Sequence, residues 1–400
     1  MNASDTAIAR TRGEVDERTP WADAREAARN AAEPTRAVDL PLDVALGTVL
    51  ATPLRALVAA PPFDNSAMDG YAVAGTGPWT VVGCVRAGGA QHPGRLEPGQ
   101  AIEIATGAPV PAGTDAVLPI EDSLRAGDSV SGEVRHAGHV RRKGESCQEG
   151  QLLLTSGTTV TPAVLGLAAS AGHDELRVHR RPRVAVLVTG DEVVASGRPG
   201  HGQVRDAISP MLTGLLHLAG AEQTCVRRLA DRADVLAEAL SDTSVDVLVV
   251  CGATSAGPAD HLRPVLRRLG ADLRVAGVAC RPGHPQVLAV LPDGRTVVGL
   301  PGNPHAALVA AMTLLQPLLQ VLSGRRAAPL ESAWLAEPVD PHPRDTRLVA
   351  VTRLNGSASP VGHDRPGTLW GAALADALAV IPPGWAGEDV ELLALPGLDR

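Results

Sequence analysis

At 400 residues the chain exceeds the size at which one hydrophobic core keeps growing, so about two to four domains are expected. A net charge of −8, with one Phe and one Tyr, argues against a general nucleic-acid binder and against aromatic platforms for single strands. The chain is 44% hydrophobic, yet no continuous apolar stretch is read as reaching the roughly 20 residues of a membrane helix. Residues 1–10 lack the apolar core of a secretory signal, and five scattered cysteines without CxxC spacing suit free thiols in a reducing cytosol. A cytoplasmic protein with neither membrane nor nucleic-acid partners is expected.

Residues 1–19 are polar and aperiodic and are expected to form a disordered tail. A helix with Pro20 at its first turn follows and ends at Pro34. Residues 20–60 and 155–180 read as a mixed helix and strand segment, the latter holding a helix from Thr161 to a Gly172 cap. Between them, residues 61–154 alternate short apolar runs with Gly, Pro and Asp, the spacing of a small β domain. Residues 181–324 alternate strand and helix, the signature of a parallel sheet, with helices expected at 210–219, 233–241, 260–269 and 304–323. Residues 330–400 return to short runs with turn punctuation and read as a small all-β unit.

The most informative stretch is Arg183-Val-Ala-Val-Leu-Val-Thr-Gly-Asp-Glu192, a short apolar run that stops at Gly190 and delivers Asp191 and Glu192. Runs this short and apolar suit strands buried on both faces, and open α/β sheets bind ligands beyond the carboxyl ends of such strands. Residues 245–252 end the same way, leading through Ser255 and Gly257 to Asp260. Residues 296–304 end in a Pro-Gly-Asn-Pro turn that opens an apolar helix. Asp191 and Glu192 carry hard oxygens that suit magnesium, with Asp206 able to add another or simply to cap a helix. The 252–257 loop suits an oxyanion, and so does the Arg281 fork beside His284, although an exposed turn reads equally well there. Gly302 and Asn303 permit close backbone approach and helix capping. Asp64, Asn65, Ser66 and Asp69 cluster on a constrained loop; Arg141 and Arg142 form a basic run able to steer a phosphorylated ligand. No dinucleotide fingerprint, P-loop or HExxH is present.

Taken together, these segments resemble the molybdopterin molybdenumtransferase family (MoeA and the gephyrin E domain) from about residue 20 onward. Pro61-Pro-Phe-Asp-Asn-Ser-Ala-Met-Asp-Gly-Tyr-Ala-Val73 carries the resemblance best, followed in order by 105–117, 141–145, 188–192, Arg205-Asp206, 251–260, 281–285 and 299–304. The resemblance implies an α/β multidomain fold. Its parts would be a central MogA-like three-layer domain with a parallel-rich sheet, an inserted β domain, a mixed helix and strand segment and a C-terminal β-barrel. It implies insertion of molybdate into adenylylated molybdopterin, with Mg2+ assisting release of AMP, by a homodimer that works beside the molybdopterin adenylyltransferase. Glu192, Asp206 and Asp260 would serve metal and pterin, with Asp191 completing the metal set. Ser255, Gly257, Arg281, His284, Gly302 and Asn303 would hold phosphate or molybdate. Asp69, Thr106, Arg141 and Arg142 would reach in from the second subunit. The family's Lys-Pro-Gly-Lys-Pro is here Arg281-Pro-Gly-His284-Pro, and an acid and a glycine are missing from the 252–258 loop. These departures keep a second reading open, that of a divergent paralogue binding pterin or a partner protein without turnover.

Overall fold

The structure is a computed structural model and describes residues 18–90, 92–135, 137–241, 244–252, 254, 260–363, 365–387 and 389–397. The tail expected at 1–17, together with Ser255 and Gly257, lies outside the described residues. The chain divides into two compact units, one of residues 1–38 and 179–400 and the other of residues 39–178.

In the first unit a six-strand sheet runs in the order Glu222–Leu229, Arg183–Thr189, Val247–Cys251, Thr296–Leu300, Val287–Val290, Asp272–Val275. The first four strands are parallel and the last two antiparallel. Strand residues alternate between the two faces, as the two-residue repeat requires. Val184, Val186 and Val188 face helices Ile208–Leu218 and 304–322, whereas Ala185 and Leu187 face helices Ala233–Ala239 and Leu262–Arg268. Both faces are therefore covered, which is why these strands read as unbroken apolar runs.

Helix 304–322 corrects one expectation. It is long and apolar enough to cross a membrane, but 83% of its apolar window is buried in the protein, making it a core helix. Its middle, Ala311–Leu315, is a π-helical turn just before Pro317, which has no N–H to return to the preceding turn. Helix Trp21–Arg29 supplies partners there: Arg25 Nη1 donates to the Met312 carbonyl at 2.5 Å, and Trp21 Nε1 to Thr313 Oγ1 at 3.0 Å. Burial pushes the Arg25 guanidinium down to about 10, with Arg29 adding to the effect.

Five strands close into a barrel: Thr346–Leu354, Ser357–Pro360, Glu331–Leu335, Asp389–Ala394 and Ala377–Ile381, which pairs back to Thr346–Leu354. Leu335, Val351, Ala358, Ile381 and Leu392 fill it. Strand Val278–Arg281 adds to Thr346–Leu354 in parallel, and Thr19–Pro20 adds to that strand in turn. Arg18 and Thr19, expected in the tail, are thus tied down.

In the second unit a six-strand sheet runs Ser123–Ala126, Ser129–Gly132, Trp79–Val85, Gln100–Ile104, Gly70–Val73, Ala116–Pro119. Gly70 is obligatory at φ +158°, because a Cβ would fall 2.0 Å from the Leu118 carbonyl oxygen. Thr161 caps helix Pro162–Ser170 by accepting from Val164 N.

Candidate functional site

Two neighbouring parallel strands of the first unit end in close contact. Thr189 Oγ1 donates to the Cys251 carbonyl at 3.1 Å, and a Cβ on Gly252 would fall 2.7 Å from Thr189 Oγ1. At Gly190, φ is +121°, and a Cβ would sit 2.9 Å and 3.0 Å from the two Glu192 carboxylate oxygens. The Glu192 side chain therefore folds back over the strand end, a position it holds only because residue 190 has no side chain.

Asp191 accepts a long contact from Asp231 N at 3.4 Å. Burial raises the Asp231 carboxyl above its ordinary range, and the charges of Asp191 and Glu192 raise it further; His261 and the Gly190 N–H act the other way. Three acids from two strand ends thus share one region, and their mutual repulsion marks it as fit for a cation. Asp231 was missed by sequence reasoning. It stands two residues beyond strand Glu222–Leu229, so the strand-end rule that found Asp191 would have found it as well.

Asp206 departs from the expected metal set of Asp191, Glu192 and Asp206. Its Oδ1 accepts from Ile208 N and Ser209 N, and its Oδ2 from Ser209 Oγ at 2.7 Å and Arg228 at 3.0 Å. Burial works against ionisation, but these bonds outweigh it and hold the carboxyl below its ordinary range. Oδ1 thus serves the N–H groups at the start of helix Ile208–Leu218, while Oδ2 is held by the Ser209 and Arg228 side chains. Among the described residues no three His, Cys, Asp or Glu side chains form a ready-made metal cage. Magnesium needs only one or two carboxylates when substrate phosphate and water complete its shell, so Asp191, Glu192 and Asp231 fit it.

Asp260 leads into helix Leu262–Arg268. Among the described residues one of its oxygens is buried without a hydrogen-bond partner, and the other lies 3.5 Å from Arg263 Nη1. Burial raises its carboxyl, with Arg263 opposing. His261 acts on both Asp231 and Asp260, so the acids of separate strand ends face one region.

Arg281–His284 and the turn before helix 304–322 are also brought together. A Cβ on Gly283, at φ +98°, would sit 2.9 Å from the Ala306 carbonyl oxygen. Burial lowers His284 below its ordinary value, Arg18 and Arg281 lower it further, and Arg263 adds to them against Asp345. Three guanidinium groups therefore surround a histidine that is neutral at pH 7. A Cβ on Gly302 would meet nothing within 4 Å, so its absence leaves open space and is not a packing requirement. Asn303 holds the N-cap position but makes no side-chain cap bond, correcting that expectation; Pro304 has no N–H, and the His305 and Ala307 N–H groups donate to the Pro366 and Asn303 carbonyls at 3.0 and 2.8 Å.

In the second unit three predicted segments converge by themselves. Asp69 Oδ1 accepts from Thr106 N at 2.6 Å and Thr106 Oγ1 at 2.8 Å, bonds that hold its carboxyl below the usual range. Val140–Arg141 pairs with Asn65–Ser66, and Arg142 is committed to Asp64 at 2.6 Å.

Most of the chain resembles known proteins. Residues 19–172 match the MoeA N-terminal region (domain I and II), and residues 185–321 match a probable molybdopterin binding domain. The chain is 33% identical over 386 residues to a molybdopterin molybdenumtransferase of Nostoc sp., covering 88% of this chain and 87% of the relative. The chain belongs to the molybdopterin molybdenumtransferase family. A relative of that name from Synechococcus elongatus is 36% identical over 306 residues, covering 72% of this chain and 75% of its own. The crystal structure of a molybdopterin biosynthesis MoeA protein from Pyrococcus horikosii superposes with a TM-score of 0.79 at 27% identity, covering 95% of this chain and all of that one (100%). The fold is thus MoeA-like, with a MogA/MoaB-like sheet domain and a closed five-strand barrel. Family membership makes the chain a transferase of molybdenum cofactor biosynthesis. The reading as a non-catalytic scaffold is not favoured.

Proposed function

We propose that the chain inserts molybdate into adenylylated molybdopterin, with AMP released, and that it works in the cytoplasm as a homodimer. The observation that carries this reading is the presence, within one unit, of an acidic cluster (Asp191, Glu192, Asp231) and a basic one around Arg281 and His284. Bound magnesium would be held by Asp191 and Glu192 and would stabilise charge developing on the cleaved phosphoanhydride. Asp260 offers the oxygen that has no hydrogen-bond partner among the described residues to polar atoms of the pterin, and the Asp206 backbone N–H, bonded to the Val194 carbonyl at 3.0 Å, ties the loop after Glu192 to the start of helix Ile208–Leu218. Arg281, the turn at Gly302 and Asn303, and the loop of Ser255 and Gly257 hold oxyanion oxygens, whether of pterin phosphate or molybdate. Asp69, Thr106, Arg141 and Arg142 are proposed to act from the second copy of the chain. The adenylylated pterin would be received from the molybdopterin adenylyltransferase.

The test is AMP release from adenylylated molybdopterin, with and without molybdate and magnesium, for the natural chain and Glu192→Ala. The proposal expects release that depends on both ions and falls roughly 10²-fold or more in the variant. Tight pterin binding with no AMP release under any condition would return the scaffold reading; release indifferent to Glu192 would remove that residue from the chemistry.

A further inference from the structure

Asp345 is the most enclosed charged side chain near the basic cluster, at 1% exposure, and it stands at the start of barrel strand Thr346–Leu354. Its Oδ1 lies 2.8 Å from Arg18 Nη1, and its Oδ2 accepts from Arg281 Nε at 2.8 Å. His342 Nδ1 accepts from the backbone N–H groups of Asp345 and Arg344, at 3.0 and 3.3 Å, so that nitrogen carries no proton. The carboxylate is thus divided between two arginines.

The geometry at Arg281 is directional. Its backbone is fixed by parallel pairing of Cys280 with Thr346 and of Arg281 with Arg347, so strand and carboxylate come from one barrel edge. Only Nε is engaged; among the described residues Nη1 and Nη2 have no protein partner, and the side chain is 61% exposed. A guanidinium gripped at Nε turns its terminal pair outward as a planar fork, which matches two oxygens of a tetrahedral oxyanion. A lysine here would need no such grip, because an ammonium is a point charge without a preferred plane. The family pattern resembled by this chain has lysines at positions 281 and 284; here one is the arginine and the other a histidine neutral at pH 7.

We propose that Asp345 is a positioning residue that orients the Arg281 fork toward the substrate oxyanion, so that one oriented guanidinium acts where the family pattern has two lysines. This rests on the proposed transferase reading. Asp345 touches no reacting atom; it acts through Arg281.

The test is a double-mutant cycle on the full-length chain with Asp345→Asn, Arg281→Lys and the pair, plus Arg18→Gln as a control that leaves Asp345 in place. AMP release is measured against molybdate at saturating adenylylated molybdopterin, and against the pterin at saturating molybdate; thermal midpoints are recorded for every variant. The arm in which the half-saturating concentration rises identifies the oxyanion as molybdate or pterin phosphate. Asp345→Asn is expected to raise it roughly tenfold, the value of one charge-assisted hydrogen bond, with kcat little changed. Arg281→Lys is expected to cost as much, and the pair no more than either alone, because both remove one oriented fork. Additive losses, or a shift reproduced by Arg18→Gln alongside an equal fall in thermal midpoint, would overturn the proposal and leave Asp345 a brace of the fold. A natural chain that releases no AMP at any molybdate concentration would sink the transferase reading itself, which is a different result.

Discussion

Arg228 reaches Asp206 Oδ2 at 3.0 Å, across from the Ser209 hydroxyl that binds the same oxygen at 2.7 Å. This pair occupies Oδ2 while Oδ1 accepts from the Ile208 and Ser209 N–H groups, so an acid that seemed available for metal supports a helix start. Asp206→Ala is therefore expected to destabilise the fold by about 2 kcal/mol, the upper end for a lost cap. Because neither oxygen is free, the magnesium concentration at half-maximal AMP release should stay unchanged, and calorimetry with a magnesium titration reads both quantities. A large rise in that concentration without a stability loss would restore Asp206 as a ligand.

Gly190 holds the Glu192 carboxylate in place by having no side chain. Gly190→Ala puts a methyl group 2.9 Å from that carboxylate at a φ of +121°, so both strain and displacement follow. The strain is on the order of 1 kcal/mol, whereas loss of aligned charge at the reacting centre costs roughly 10²-fold in rate. Activity should fall much further than stability. Gly302→Ala makes the contrast, since its new methyl group meets no protein atom: the thermal midpoint should not move, and any rise in KM reports a ligand occupying that space.

Much of this was legible in the sequence because it depends on local pattern. Val184 to Val188 form a short apolar run with a β-branched valine at every second position, which suits a strand covered on both faces; the helix opened by Pro304 follows from its proline and its unbroken apolar run. Segments 61–73 and 141–145 carry part of the family resemblance, but the sequence does not show that Arg142 is held by Asp64, 78 residues away. The same limit hid Asp345, whose partner Arg281 lies 64 residues earlier, and the π turn, which Arg25 supports from 287 residues upstream. Asp231 was hidden differently. Flanked by Arg232 and Asp234, it reads as one more charge on a solvated helix start, and only the parallel neighbour strand brings it to Asp191 and Glu192.

Asp260 carries its charge at a cost to the fold. Burial raises its folded carboxyl above the unfolded value, so stability is fully present below the ordinary carboxylate range and is lost as pH rises through that raised value. Asp260→Asn removes the charge with little change of shape. At pH 7 the variant should melt about 2 °C higher, while AMP release should fall roughly 10²-fold. At a pH below the ordinary carboxylate range the two melting temperatures should coincide. A variant that melts lower at pH 7 would mean that the contact with Arg263 outweighs burial.

His284 supplies a pH dependence of opposite sense. Its folded pKa lies below its ordinary 6.5, chiefly through burial and then through Arg18 and Arg281, so at pH 7 it is neutral in both folded and unfolded chains. As pH falls past 6.5 the unfolded chain takes the proton first, and this residue's share of stability is lost on the acid side. An oxyanion seated beside Arg281 would favour the imidazolium, so binding should draw a proton in that same acid window and none at pH 8. Molybdate affinity, measured by calorimetry at pH 8, 7 and 6 in two buffers of different ionisation enthalpy, should therefore strengthen toward pH 6. His284→Gln should flatten the profile to the pH 8 value, since the three arginines remain charged throughout. A profile that stays steep in His284→Gln would assign the proton to another group, with Asp231 the first to examine because its carboxyl is raised by burial and two neighbouring acids.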